Sequence, residues 1–261
     1  MIRSKIIKRI AYKTLNVLCP NGIKVNMKNF SLKLPVDYFR LFPKDYEDEN
    51  FQFINNSLKP GHTVLDIGAH IGLTAVLFGQ KVASTGRVFS FEPTPISFSV
   101  LKETIRINQL ENVITPVNSP VTETSGKVNF YISNTAVDVA NSLVAWEKGK
   151  ELHGITVDAF SVDDFVQQQK IAKVDFMKID AEGVEYKVLK GAKETLRTHM
   201  PLIILALHPI AIATNGDSLG EIYTLVKGFG YNIFLNQKEM DEDQFCKQIG
   251  LFDVHLSFRN V

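Results

Sequence analysis

The chain is short of the features that would tie it to a membrane, a disulfide framework or a nucleic acid. Its only cysteines, Cys19 and Cys246, lie far apart. Such a pair forms neither a metal-ligand spacing nor a disulfide framework, and it fits a reducing, cytoplasmic setting. No apolar run reaches the ~18 residues of a membrane span. The start lacks the uninterrupted apolar core of a signal peptide. Neither sign of charge is in excess: 29 Lys and Arg against 28 Asp and Glu leave +1. That balance gives no global electrostatic case for nucleic acid. Internal repeats and low-complexity tracts are absent as well. What remains, 45% hydrophobic and 22% charged residues over 261 positions, is ordinary globular composition. It suits one large α/β domain with an appendage.

A missing glycine bears on function. Val64-Leu65-Asp66-Ile67-Gly68-Ala69-His70-Ile71-Gly72 reads as an apolar strand ending in a carboxylate, then a glycine turn. A helical stretch, Leu73 to Val82, follows. Nucleotide-like cofactors use such corners. Gly68 tolerates positive φ and lets a ligand approach the backbone. Gly72 lets the helix start sit tightly against the strand. The helix N-terminus offers N–H groups and positive dipole to a carboxylate or phosphate. The dinucleotide fingerprint G-x-G-x-x-G needs its middle glycine to admit a pyrophosphate, and Gly68-Ala69-His70-Ile71-Gly72 lacks it. Asp66 would repel a diphosphate but suits an amine, such as the methionyl end of S-adenosylmethionine. Val88-Phe89-Ser90-Phe91-Glu92-Pro93 is a second apolar strand ending in an acid. Glu92 there can accept both ribose hydroxyls of a dinucleotide or of adenosylmethionine. A glycine corner alone also occurs in cofactor-free domains, and Asp66 can be a simple cap. The spacing of Glu92 favours the cofactor.

Residues 1–18 carry Arg3, Lys5, Lys8, Arg9 and Lys13, with Ile2, Ile6 and Ile10 at helical spacing. This pattern predicts a basic amphipathic helix. It suits peripheral contact with an anionic membrane, or packing on the domain or a partner chain. Short strands at Ile23–Met27 and Phe30–Leu34 follow, then a helix opened by Glu47-Asp48-Glu49-Asn50 and ending at Leu58. Residues 1–60 thus read as an N-terminal appendage and 61–261 as the cofactor-binding domain. From residue 62, strands His62–Ile67, Arg87–Phe91, Val113–Asn118, Val174–Ile179 and Leu202–Leu207 alternate with helices. Those helices are Leu73–Val82, Pro95–Asn108, Val162–Gln169 and Val184–Thr198. Leu219–Lys227, Tyr231–Leu235 and Val254–Phe258 add a helix and two strands. The alternation predicts an α/β, doubly wound, mostly parallel sheet with ligands at the carboxyl ends of its strands. Lys127–Ile132 reads as an extra edge strand, and 133–153 carries little pattern.

A second acidic cluster, Lys178-Ile179-Asp180-Ala181-Glu182-Gly183-Val184-Glu185, sits where the fourth strand meets its helix. Helix starts are often acidic. This one matters because the fourth strand neighbours the first in such folds, which puts Asp180 beside the cofactor pocket. His208, in Leu205-Ala206-Leu207-His208-Pro209, follows the fifth strand at the same edge. Its unperturbed pKa near 6.5 suits a general base. Asp180 and Glu182 are rivals for that role, and His208 also reads as a turn residue before Pro209. The acids suit a divalent cation too, but no further Asp or Asn cluster joins them, so the site reads as metal-free.

The motifs Asp66 to Gly72, Phe91-Glu92-Pro93 and Lys178 to Glu185 resemble the FkbM family of S-adenosylmethionine-dependent methyltransferases, over about residues 45–210. The resemblance implies a class I methyltransferase, Rossmann-like fold with strand order 3-2-1-4-5-7-6 and strand seven antiparallel. It implies O-methylation of a hydroxyl on a sugar, glycan or natural product. Asp66, Gly68 and Gly72 would surround the methionyl part, with Ala69 and His70 in the same cofactor loop. Glu92 would hold the ribose, and Asn118 would lie near the adenine. Asp180 and Glu182 would face the transferring methyl. Two departures stand out: Ser119-Pro120 after Asn118, and Ala206 where members often carry a glutamate. They leave open a cofactor-binding but inactive scaffold. A nicotinamide-dependent oxidoreductase is the other rival, opposed by His70. A small-molecule or glycan acceptor is expected, and no nucleic acid.

Overall fold

The computed structural model describes residues 14–27, 30–43, 45–133 and 152–258. The basic stretch 1–13 and positions 134–151 lie outside them. Residues 14–18 are helical. A hairpin of β1 (Ile23–Asn26) and β2 (Ser31–Leu34) comes next, then α1 (Asp48–Ser57). Alternation begins with β3 (Thr63–Ile67), α2 (Leu73–Val82), β4 (Arg87–Phe91), α3 (Pro95–Ile107) and β5 (Ile114–Val117). A second hairpin, β6 (Gly126–Ser133) and β7 (Leu152–Ala159), precedes α4 (Val162–Gln168) and β8 (Phe176–Ile179). Then come α5 (Glu185–Lys190), α6 (Lys193–Thr198), β9 (Leu202–Leu207), α7 (Pro209–Thr214) and α8 (Leu219–Gly228). The chain closes with β10 (Asn232–Leu235), β11 (Lys238–Glu239), α9 (Glu242–Cys246) and β12 (Phe252–Ser257).

The main sheet has the order β11-β10-β12-β9-β8-β3-β4-β5. β5, β4, β3, β8 and β9 pair in parallel. β12 inserts antiparallel between β9 and β10. Apart from the short β11, this is the expected 3-2-1-4-5-7-6 order, with β12 as the antiparallel strand seven.

Strand alternation splits the core in two. Leu65, Phe89, Met177 and Ile203 face a cluster built with α4, α5, α6 and α8. Val64, Val88, Phe176 and Ile204 face the other, built with α1, α2, α3 and the first hairpin. Phe51, Phe53 and Ile54 are buried in that second cluster. The stretch from β1 to α1 therefore covers the sheet and shares its core.

Three local expectations change. Lys127–Ile132 does not extend the main sheet: β6 pairs with β7 alone, from Gly126↔Ala159 to Ser133↔Leu152. The missed signal was the alternation Ile155, Val157, Ala159 against Thr156 and Asp158. The helix expected over Val184–Thr198 breaks at Gly191, where a Cβ would stand 2.4 Å from the Thr122 carbonyl oxygen. The last strand starts at Phe252 rather than Val254, which brings Asp253 into the sheet.

Candidate active site

The carboxyl ends of β3, β4, β8 and β9 open into a cavity of about 320 Å³. Its walls are the Gly68–Ile71 turn, Leu73 and Thr74 of α2, Glu92, Thr94, Ser119, Pro120, Asp180, Glu182 and His208. Phe42, Tyr46 and Glu47 close one side from the segment before α1.

The turn after β3 is held tightly. Gly68 and Ala69 N–H groups both donate to the Phe91 carbonyl, at 3.0 and 2.9 Å. Gly68 has φ +83, and a Cβ there would lie 1.9 Å from the Asp180 carbonyl oxygen. The glycine is therefore needed by the protein's own backbone, where the sequence suggested ligand approach. Gly72, φ +90, likewise serves packing against α3: a Cβ would meet Leu101 at 2.7 Å. It caps α2 without a side chain, so first-turn N–H groups keep their capacity for an anion.

Glu92 forms one end of the cavity. It is buried, and its two oxygens accept from the His70 N–H at 2.9 Å and the Thr94 N–H at 2.8 Å. Burial pushes its pKa up to about 7, against the pull of those amides. Both amides fix the carboxyl plane while leaving lone pairs for other donors. His70 sits at φ +50 with its ring buried enough to lower its pKa to about 4. Its Nε2 is buried and has no hydrogen-bond partner.

A buried polar row runs beneath the cavity, with Lys178 alone of the three reaching its wall. Ser90, Asp66 and Lys178 occupy facing positions on β4, β3 and β8. All three are buried, on the face otherwise filled by Val64, Val88 and Phe176. Ser90 Oγ donates to Asp66 Oδ2 at 3.2 Å, and Asp66 Oδ1 has no partner. Burial raises the Asp66 pKa to about 6, with Lys178 opposing. Lys178 donates to Asp180 Oδ2 at 2.8 Å. Burial alone would raise the Asp180 pKa, but Lys178 and His208 together hold it below the usual carboxylate value.

The other end of the cavity gathers acids around an imidazole. His208 Nδ1 contacts Glu185 Oε1 at 2.8 Å. Its Nε2 lies 3.4 Å from Glu182 Oε2 and 3.8 Å from Asp180 Oδ1. Burial would lower the His208 pKa, but the Glu185 bond and the surrounding carboxylates raise it to about 9. Glu182 is pushed up to about 8 by burial, with His208 pulling the other way. The carboxylates around His208 thus hold its imidazole above the usual range. Glu182 sits at φ +50, followed by Gly183 at φ +99.

Of the residues singled out from the sequence, Gly68, Ala69, His70, Glu92, Asp180, Glu182 and His208 line one cavity. Asp66, Gly72 and Asn118 do not. Asp66 belongs to the row beneath, and Asn118 donates to the Glu92 and Pro93 carbonyls at 2.8 and 3.1 Å, bracing the turn after β4. Sequence reading missed Phe42, Tyr46, Glu47, Lys178 and Asp253, all on the wall. Asp253 faces Ala206 directly in the β12–β9 register. The polar positions of Phe252-Asp253-Val254-His255-Leu256 were its signal. Asp253 Oδ2 accepts from Asn50 at 2.5 Å, and Asn50 Oδ1 meets His255 Nε2 at 2.9 Å.

The mixed sheet, with β12 inserted antiparallel, gives the chain a Rossmann-like core. The Methyltransferase FkbM domain matches residues 66–233, and the chain belongs to that family. The hexuronic acid methyltransferase AglP of Haloferax volcanii is 24% identical over 201 residues, covering 76% of this chain and 79% of that protein. The 31-O-demethyl-FK506 methyltransferase FkbM of Streptomyces tacrolimicus is 23% identical over 209 residues, covering 69% and 76%. The crystal structure of methyltransferase FkbM from Methylobacillus flagellatus KT aligns over 97% of this chain and 60% of that one, at 16% identity and TM-score 0.48. Among the described residues no helix is long and apolar enough to cross a membrane.

Proposed function

We propose that the protein moves the methyl group of S-adenosylmethionine to a hydroxyl of a sugar, glycan or natural product. The observation that carries this reading is the polarity of one cavity. A carboxylate pinned by two backbone amides stands at one end, and an acid–imidazole cluster at the other. Bound there, S-adenosylmethionine supplies an activated methyl on a positively charged sulfur. Glu92 would accept the ribose hydroxyls, and the uncapped start of α2 would take the methionyl carboxylate. The unpartnered His70 Nε2 and the excess of carboxylates fit a polar, cationic ligand. The relatives' names, a hexuronic acid methyltransferase and a 31-O-demethyl-FK506 methyltransferase, support an oxygen acceptor.

Alignment supplies much of the rate, since the methyl is already activated. The acceptor hydroxyl still has to lose a proton. The candidate proton acceptor is His208 Nε2, turned toward Asp180 and Glu182 by the bond from Nδ1 to Glu185, and it takes the proton only in the deprotonated fraction that its raised pKa leaves. Calorimetry with S-adenosylhomocysteine tests the cofactor, and NADH fluorescence tests the dinucleotide rival. Methyl transfer to a glycan and natural-product pool, read by mass spectrometry, tests the reaction. Binding of S-adenosylhomocysteine with no methylated product would point to the scaffold instead.

A further inference from the structure

We propose that Asp180, Glu182 and His208 form a binding site for a divalent transition-metal cation, held at the acceptor end of the cavity. The inference rests on the O-methyl transfer just described and names how that end of the site handles the hydroxyl.

Four observations carry it. First, one donor atom from each of the three residues lies within 4.8 Å of the others. Nε2 of His208 stands 3.4 Å from Glu182 Oε2 and 3.8 Å from Asp180 Oδ1. Both gaps exceed the ordinary range of a charge-assisted hydrogen bond, about 2.7–2.9 Å. Donors bound to one ion at about 2.0–2.2 Å, with angles of about 90–120°, stand about 2.8–3.8 Å apart. Second, the far nitrogen of the imidazole is already committed. Nδ1 meets Glu185 Oε1 at 2.8 Å, and Glu185 is fully buried. A carboxylate behind a histidine, fixing tautomer and ring plane, is the usual support of a metal-ligating imidazole. The second oxygen of that carboxylate, Oε2, is buried without a hydrogen-bond partner. Third, Lys178 takes Asp180 Oδ2 at 2.8 Å, which leaves Oδ1 on the His208 side. Fourth, the donors come from two strand ends. Asp180 and Glu182 follow β8, and His208 follows β9, both locked in a parallel pair.

The donor set selects the ion. An imidazole beside two carboxylates suits Mn²⁺, Fe²⁺ or Zn²⁺ better than Mg²⁺ or Ca²⁺, which prefer oxygen alone. Three protein ligands leave open positions for an acceptor oxygen. A hydroxyl bound there loses its proton more readily, as water does on a metal. The displacement itself is unchanged: the carbon–sulfur bond breaks, the carbon–oxygen bond forms, and the hydroxyl proton leaves to water. His208 then serves as a ligand rather than as the proton acceptor.

The test uses Mn²⁺ alone, added to chelator-treated protein, with free Mn²⁺ followed by electron paramagnetic resonance. S-Adenosylhomocysteine calorimetry runs in parallel. The expected result is one Mn²⁺ bound per chain, weakened about tenfold or more by Glu182→Gln and by Glu185→Gln. Glu185→Gln touches no metal, so its effect reads the support behind His208, and circular dichroism confirms that both variants fold. Folded protein that binds S-adenosylhomocysteine but removes no Mn²⁺ from solution overturns the cation site and leaves the methyltransferase reading standing. Equal Mn²⁺ binding by Glu182→Gln overturns the assigned ligands. Mn²⁺ bound without S-adenosylhomocysteine supports the site and overturns the cofactor reading instead.

Discussion

The two ends of the cavity are built on opposite plans. At the Glu92 end the holding groups are backbone amides, one of them on the turn 22 residues earlier. The carboxylate is two residues from the Thr94 amide it accepts from, and the turn bearing His70 is stitched to β4 by Gly68 and Ala69. At the His208 end the partners are side chains. Glu185 is 23 residues from His208, and Tyr46 and Glu47 arrive from before the first parallel strand. Backbone amides give a rigid cradle. A cluster of side chains gives charges that depend on one another. The first suits an invariant group such as a cofactor's ribose, and the second suits chemistry.

The join between the two ends should be the most fragile point. Gly68 Cα faces the Asp180 carbonyl so closely that an added methyl would overlap it, at φ +83 besides. Gly68→Ala should cost about 3 kcal/mol or more in urea unfolding, and it should weaken cofactor binding and turnover together. Next in size is the acid–imidazole end. His208→Ala should lower turnover by about 10²–10⁴-fold while S-adenosylhomocysteine affinity stays at the parent value. Equal turnover would remove His208 from the reaction. Smaller again, Glu92→Ala should weaken S-adenosylhomocysteine by about ten- to a hundredfold, the worth of one or two charged hydrogen bonds. Turnover at saturating cofactor should be largely kept. If Glu92→Ala instead reproduced the His208→Ala profile, the division between the two ends would fail.

The same division explains what the sequence could say. Leu73–Val82, Arg87–Phe91 and Leu202–Leu207 form at the residues their patterns indicate. Strands buried on both faces read as unbroken apolar runs, and a glycine corner marks the chain's turn. Glu92 was legible because its spacing from Gly68 is set by one strand–helix–strand unit. Asp66 ends one layer beneath the cavity, and a strand-end acid looks the same in sequence whether it reaches the cavity or stops beneath it. What decides is its pairing with Ser90 and Lys178 on neighbouring strands, a fact of register. Asp253 opposite Ala206 was hidden for the same reason: the acid lies 47 residues downstream, on the antiparallel strand. β7 was missed because its partner, β6, was given to the main sheet.

The smallest effect concerns pH and again sets one end apart. Glu92 is raised from 4.5 to about 7, chiefly by burial. In the free protein its protonated form is favoured relative to the unfolded chain. Its contribution to stability is therefore complete below about 4.5 and lost as pH rises through about 7. Ribose hydroxyls donating to the carboxylate, as proposed, would favour the ionised form. Affinity for S-adenosylhomocysteine should accordingly rise as pH is taken from 6 to 8, by less than about tenfold per unit. The two slopes have opposite sign: the unliganded protein loses this part of its stability over the interval in which the ligand gains hold. Thermal shift by S-adenosylhomocysteine, measured across that interval, should widen with pH in the parent and stay flat in Glu92→Gln. A parent profile as flat as the variant's would mean that Glu92 stays in one charge state throughout, and that burial does not set the chemistry of this end.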